Sequence, residues 1–152
     1  MSNLTTVVEV LEFAIEAERA AAALYEGLAA KTKSAAMKAT LLEFAEEERG
    51  HERKLLAVKG GNRALVAGAP VRDLKIAEYT KNPVEITGGS DYQTVLLYAM
   101  HQEKLAFRLY SDLAARIDDA EIKRLLLGLA QEEAKHKLRF EVEYDDNVLK
   151  EN

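Results

Sequence analysis

Two segments of the chain pair a glutamate with a histidine three positions later. They are Glu48 with His51 and Glu133 with His136. Residues three apart on an α-helix project from the same face, so each pair directs a carboxylate oxygen and an imidazole nitrogen toward one point. Each pair therefore offers two ligands for a metal ion. Glutamate is abundant in this chain, and the interpretation gains weight only because the pair occurs twice.

The repetition extends far beyond the two pairs. An offset of 85 positions relates residues 10–55 to residues 95–140, which are identical at 18 of 46 positions without gaps. The same offset relates Glu18 to Glu103 and Tyr25 to Tyr110. The sequence therefore predicts a duplicated helical hairpin in which residues suited to metal binding are duplicated with the helices.

Composition indicates one soluble, all-α domain spanning residues 1–152. The chain has two prolines, and no run of 18 apolar residues is present to cross a bilayer. A net charge of −5 without clusters of lysine and arginine argues against nucleic acid as a partner. The first residues contain no signal peptide pattern, so we expect a cytoplasmic protein that does not bind membranes.

The chain contains no cysteine. Disulfides, thiolate zinc sites and iron–sulfur clusters within these residues are therefore excluded. Any redox metal must be bound through oxygen and nitrogen atoms.

Capping residues and hydrophobic periodicity predict four helices. Their expected ranges are about 5–31, 34–58, 91–116 and 119–144, with caps at Thr5 or Thr6, at Ser34, at Ser90 or Asp91, and at Asp118 or Asp119. Residues 145–152 are polar and are predicted to fray. The segment 59–90 is rich in glycine, with a short helix possible only within 71–80. Its length allows a crossover along the bundle, which would make the third helix parallel to the second.

The inward face of each helix follows alternating steps of four and three residues, as in antiparallel bundles. These otherwise apolar stripes include the four glutamates and two histidines Glu18, Glu48, His51, Glu103, Glu133 and His136. The stripe of the third helix also includes Phe107, whereas His101 is predicted on the surface. The alternative is that the glutamates lie on a solvated face and that the histidines are ordinary core residues.

Six inward donors from four helices predict a dinuclear metal centre. Four buried carboxylates would repel one another unless they were protonated or neutralised, and two divalent cations would cancel their charge. One glutamate from each of two helices and a Glu-x-x-His from each of the others is the ligand set of di-iron and di-manganese carboxylate bundles. Oxygen and imidazole ligands without thiolate favour iron, with manganese as the alternative.

Other duplicated residues are candidates for supporting roles. Each tyrosine stands two turns from the glutamate of its own helix, so we expect Tyr25 to bond Glu103 and Tyr110 to bond Glu18 across the bundle. The tyrosines would orient these carboxylates or supply an electron, unless they are plain core aromatics. Metal-bound imidazoles usually donate their second N–H to an acceptor. The expected acceptors are Glu47 for His136 and Glu132 for His51, although both glutamates could instead lie on a solvated face.

The segments 45–51 and 130–136, together with the Glu and Tyr pairs of the first and third helices, resemble the ferritin-like domain of rubrerythrins. The resemblance covers almost the whole chain. It implies a ferritin-like four-helix bundle with a non-haem di-iron centre that reduces hydrogen peroxide. It also implies that Glu18 and Glu103 are the carboxylates of the first and third helices, some of them bridging, while the two Glu-x-x-His pairs complete the two iron sites.

Two features depart from the rubrerythrin pattern. Rubrerythrins usually carry a further glutamate three residues after the ligand of the third helix, and here that position is Ala106, with Ala21 as its repeat counterpart. The predicted site is thus more symmetric and closer to the ferroxidase centre of bacterioferritins. The rubredoxin-like module that usually follows is also absent, so electrons are expected from a separate protein.

The leading prediction is a di-iron peroxidase that protects against oxidative stress, with hydrogen peroxide or dioxygen as its oxidant. The alternative is a ferroxidase that oxidises ferrous iron with dioxygen or peroxide for iron handling. A second alternative is a scaffold bundle that binds no metal. A homodimer is the expected assembly.

Overall fold

The computed structural model of the chain describes residues 5–61, 70–71 and 74–151. It contains four long helices, α1 (Val7–Lys31), α2 (Ala35–Gly60), α3 (Tyr92–Ala114) and α4 (Ala120–Glu151). Within the described residues, β1 (Thr5–Thr6) pairs antiparallel with β2 (Pro70–Val71) and forms the only sheet. The predicted four-helix bundle is confirmed. None of the described helices is long and apolar enough to cross a membrane.

Each helix begins after a residue whose side chain accepts a hydrogen bond from a backbone N–H of the first turn. These residues are Thr6, Ser34, Asp91 and Asp119. Such caps satisfy N–H groups that have no acceptor within the helix. The predicted helix starts are therefore correct to within two residues.

The prediction that the end of the chain frays is wrong for residues 145–151, because α4 continues to Glu151. Residue 152 lies outside the described part of the chain. Asn147 donates hydrogen bonds to the backbone oxygen and the carboxylate of Glu143, at 2.9 and 3.0 Å. The Tyr92 hydroxyl of α3 donates to the same carboxylate at 2.9 Å. These bonds connect the polar end of α4 to the bundle, a contribution that hydrophobic periodicity does not reveal.

Buried apolar side chains form two clusters, one toward each end of the bundle. One combines the first half of α1 with the second half of α3 and the first half of α4. The other combines the second half of α1 with the first halves of α2 and α3. The start of α2 therefore lies beside the start of α3, and these two helices run parallel, as the crossover prediction requires.

The segment that joins α2 to α3 passes from one cluster to the other. Val71, Leu74 and Tyr79 pack in the first cluster, and Ile86 packs against the second. Within the range 71–80, where a short helix was possible, the described residues contain one short 3₁₀ helix at Ile76–Tyr79. Residues 62–69 and 72–73 of the predicted crossover lie outside the described part of the chain.

One position of the predicted inward stripes is wrong. Phe107 is 38% exposed, whereas its repeat counterpart Ala22 is buried. The small side chain of alanine is covered at this position, but a phenyl ring extends beyond the edge of the helix interface. Two residues at matching positions of the repeat can therefore differ in burial when their side chains differ in volume.

The crossover is anchored to α3 through Tyr79. Its hydroxyl donates a hydrogen bond to Asp112 at 2.6 Å, and the Arg108 guanidinium lies 5.8 Å from its ring centroid. Burial and the bond to Asp112 raise the pKa of Tyr79 to about 12. Because the folded-state pKa is raised, this contribution to stability is complete below pH 10 and is lost as the pH rises toward 12.

Replacing Tyr79 by phenylalanine should lower the free energy of unfolding by about 1 to 2 kcal/mol, because Asp112 loses its donor. Chemical denaturation at pH 7 measures the change. Tyr98→Phe is the matched control, since the Tyr98 hydroxyl has no hydrogen bond in the described structure, and it should change stability by less than about 0.5 kcal/mol. Equal losses in both variants would contradict the anchoring role.

Candidate metal centre

The six predicted ligands meet in one layer between the two apolar clusters. They are Glu18 from α1, Glu48 and His51 from α2, Glu103 from α3, and Glu133 and His136 from α4. Each is at most 4% exposed. Charged residues are almost never fully buried unless they are paired, so this concentration of buried carboxylates requires a balancing partner.

The first group of donors surrounds His51. The Nδ1 atom of His51 lies 2.9 Å from an oxygen of Glu133, 3.5 Å from Glu18 and 3.6 Å from Glu48. One atom from each of these four residues lies within 4.8 Å of the others. They form a compact site of three carboxylates and one imidazole.

The second group surrounds His136 and reuses two of the same carboxylates. The Nδ1 atom of His136 lies 2.9 Å from Glu48 and 3.8 Å from Glu103, and Glu133 completes the group. Glu48 and Glu133 therefore belong to both groups. The Nδ1 atom of each histidine lies closest to the Glu-x-x-His glutamate of the opposite hairpin, so the two hairpins complete each other's sites.

The chemistry of this donor set fits two metal ions. Among the described residues, seven of the eight buried side-chain atoms without a hydrogen-bond partner belong to these six ligands. Two donors bound at right angles to one ion at about 2.1 Å lie about 3 Å apart, close to the shortest donor separations observed here. Buried polar groups normally have partners, and a pair of cations would supply them.

The protein groups alone perturb one another strongly. Burial raises the pKa of Glu48 well above its ordinary value, with a further contribution from Glu133. Burial and Glu133 likewise raise the pKa of Glu103. Burial opposes the charged form of His51, but the neighbouring carboxylates of Glu133 and Glu18 outweigh this and raise its pKa to about 10. Burial also opposes the ionisation of Glu133, yet the neighbouring imidazole of His51 lowers the pKa of this carboxyl.

Both predicted tyrosine contacts are present. The Tyr25 hydroxyl donates a hydrogen bond to Glu103, and the Tyr110 hydroxyl donates to Glu18. Both tyrosines are fully buried. Burial, with a further contribution from Glu18, raises the pKa of Tyr110 well above its ordinary value, so this hydroxyl remains a donor. Each tyrosine therefore fixes a carboxylate on the opposite hairpin.

The two histidines differ in their support. The Nε2 atom of His136 lies 2.7 Å from Glu47, as predicted, and Phe44 stacks on the imidazole at a centroid distance of 4.0 Å. The predicted bond from His51 to Glu132 is absent from the described structure. A carboxylate oxygen of Glu132 instead lies within 4.8 Å of Glu47 and His136. The repeat is thus broken around the ligands, although the ligands themselves are duplicated.

His101 was predicted to lie on the surface. His101 is partly buried and belongs to neither donor group.

Between α1 and α3, a cavity of about 450 Å³ reaches the carboxylates. Its alanine-rich wall includes Ala106 and Ala21. The absence of a glutamate at those two positions was the one sequence signal for this space.

The bundle and its six buried donors define a ferritin-like protein with a candidate dinuclear metal centre. The chain belongs to the rubrerythrin family, whose profile matches residues 9–144. It is also similar to a solved structure, that of a hypothetical protein from Pyrococcus furiosus, with 28% sequence identity and a TM-score of 0.71. The similarity covers 92% of this chain and 89% of that chain. A search of curated proteins found no match.

The unequal support of the histidines predicts unequal metal sites. Glu47→Ala removes the acceptor that orients His136 and should weaken one of two metal sites by about 10-fold to 100-fold. Isothermal titration of the metal-free protein with Mn²⁺ measures both affinities. Glu43→Ala on the exposed side of α2 is the control, because Glu43 belongs to none of the donor groups, and both affinities should stay within about threefold of the unmodified protein. Equal weakening by the two substitutions would contradict this asymmetry.

Proposed function

We propose that this protein reduces hydrogen peroxide at a di-iron centre and thereby limits oxidative damage. The observation that carries the proposal is the sharing of Glu48 and Glu133 between two complete donor groups. Family and site together suggest a di-iron protein with oxidoreductase activity. Two iron ions, when bound, would supply one electron each to an acceptor that needs two, as peroxide does when it is reduced to two water molecules.

The residues of the chain would perform distinct tasks in this reaction. Glu48 and Glu133 would hold both ions, with Glu18 and Glu103 each on one side. Tyr25 would keep Glu103 in position through its hydrogen bond. Tyr110 would do the same for Glu18. Their hydroxyl protons lie at the carboxylates, where reduction of peroxide consumes protons, and we assign both tyrosines a catalytic role.

A second candidate function is the oxidation of ferrous iron for iron handling. The observation that favours it is the pair of alanines at positions 21 and 106, which leave the ligand set symmetric. Storage of iron would require a shell of many subunits, and we propose a homodimer instead. Light scattering distinguishes these assemblies. A metal-free scaffold is less favoured, because it leaves the buried donor atoms of the six ligands without partners.

The proposed reaction needs electrons from outside these residues. The chain has no cysteine, so it has no ligands for an iron–cysteine electron carrier of its own. We propose a separate electron-donor protein in the cytoplasm as the source. Nothing in the acidic charge balance favours a nucleic acid as a further partner.

Anaerobic loading with ferrous iron followed by stopped-flow mixing tests the proposal. Parallel reactions with hydrogen peroxide and with dioxygen should show oxidation by peroxide that is faster by about tenfold or more, equivalent to a barrier lower by about 1.4 kcal/mol. Oxidation by dioxygen at an equal or higher rate would instead support the ferroxidase function. Glu48→Ala is the control for reaction at the centre, since loss of a shared ligand should abolish both fast phases.

A further inference from the structure

The cavity between α1 and α3 ends at the candidate metal centre. Four ligand carboxylates line its inner end, those of Glu18, Glu48, Glu103 and Glu133. Neither histidine lines it. A molecule in this cavity would therefore approach the centre from the carboxylate side.

The walls of the cavity are mainly apolar. They include Ala17, Ala21 and Leu24 of α1, Ala106 of α3 and Ile86 of the crossover. Such walls offer hydrocarbon contacts and no charge away from the ligands, so they suit neither a hydrated cation nor a polar metabolite. They match the apolar part of a small organic molecule.

The size of the cavity exceeds what the proposed substrate needs. Hydrogen peroxide has two heavy atoms and occupies about the volume of two water molecules, roughly 60 Å³. The cavity has a volume of about 450 Å³, which lies within the range of about 300 to 1,000 Å³ that is typical of sites for organic ligands. Space therefore remains for a hydrocarbon group beside a peroxide.

We propose that the cavity binds the hydrocarbon group of an organic hydroperoxide, with the peroxide end at the carboxylates. This inference rests on the proposed peroxidase function and extends its substrate class. The O–O bond breaks, and the hydroperoxide takes up two electrons and two protons to give an alcohol and water. The electrons come from the separate electron-donor protein, and the carbon skeleton leaves unchanged.

Gln102 provides a polar group on the wall of this cavity. Asn82 donates hydrogen bonds to the Gln102 side-chain oxygen and to the backbone oxygen of Tyr98, both at 3.0 Å. These bonds fix the amide and leave its N–H groups without a partner in the described structure. Gln102 is thus a neutral donor for a hydroperoxide oxygen, one helical position from the ligand Glu103.

The first experiment compares substrates. Iron-loaded protein with a chemical electron donor is assayed with hydrogen peroxide, tert-butyl hydroperoxide and cumene hydroperoxide. We expect kcat/KM for cumene hydroperoxide to equal or exceed that for hydrogen peroxide, because the larger substrate gains hydrocarbon contacts. A value about 100-fold lower would overturn the inference and leave the peroxidase proposal intact. Failure with every peroxide would overturn the proposed function and this inference together.

The second experiment fills the cavity. Ala21→Leu and Ala106→Leu should each lower the ratio of kcat/KM for cumene hydroperoxide to that for hydrogen peroxide by about tenfold or more, since added methyl groups exclude the larger substrate. Ala30→Leu on the exposed side of α1 is the matched control and should leave the ratio unchanged. Circular dichroism verifies folding. Equal ratios in all three variants would overturn the inference.

Binding provides a readout that does not depend on turnover. Calorimetry of zinc-loaded protein with 2-phenyl-2-propanol, the alcohol product of cumene hydroperoxide, should detect one site in the unmodified protein and in Ala30→Leu. The site should be weakened about tenfold or more in both cavity-filling variants. No binding to the unmodified protein, or unchanged binding in the filled variants, would overturn the inference.

Discussion

The burial of four carboxylates in one layer of an apolar core is the constraint on which the rest of the structure depends. Burial is the largest cause of the raised pKa values of Glu48 and Glu103, and the nearby carboxylate of Glu133 raises both further. Buried carboxylates are stable as anions only when cations or hydrogen-bond donors surround them. The two histidines and two tyrosines meet part of that requirement, and a pair of metal ions would meet the rest.

The fold encloses this layer of carboxylates on both sides along the bundle. Two apolar clusters enclose it along the bundle axis, and the parallel arrangement of α2 and α3 lets both hairpins contribute equivalent ligands. Contacts across the layer join one hairpin to the other, because Glu48 approaches His136 and Glu133 approaches His51. The site therefore cannot form in a single hairpin, and its assembly is coupled to docking of the two halves.

Much of the site could be predicted from the sequence because duplication supplied an internal comparison. An inward glutamate in an apolar stripe is unusual once and informative when repeated, as Glu18 and Glu103 show. The tyrosine contacts followed from helix geometry, since two turns separate each tyrosine from the glutamate of its own helix. Bridging was expected of the carboxylates of the first and third helices, but the two donor groups share Glu48 and Glu133 instead. Which carboxylates are shared depends on the distance between the hairpins, and residue spacing along one helix does not determine that distance.

The remaining differences arise where side chains at the periphery of the repeat change. Phe107 replaces a buried alanine and turns outward. Glu132 does not repeat the histidine contact of Glu47. The direction of a side chain at the edge of the helix interface depends on neighbouring residues, and these differ between the two halves of the repeat. The cavity beside Ala106 was not predicted, because alanine at positions 21 and 106 indicates only missing side chains, and empty space is a property of packed helices. These asymmetries distinguish one half of the site from the other.

The most direct test of the central claim is the coupling between metal binding and stability. Metal-free protein is titrated anaerobically with Fe²⁺ while bound metal and the free energy of unfolding are measured on the same samples. Binding should saturate at two ions per chain, and each site held at 100 times its dissociation constant should add about 2.7 kcal/mol of stability. Saturation below one ion per chain, or stability that does not change with metal, would contradict the claim that two cations balance the buried carboxylates.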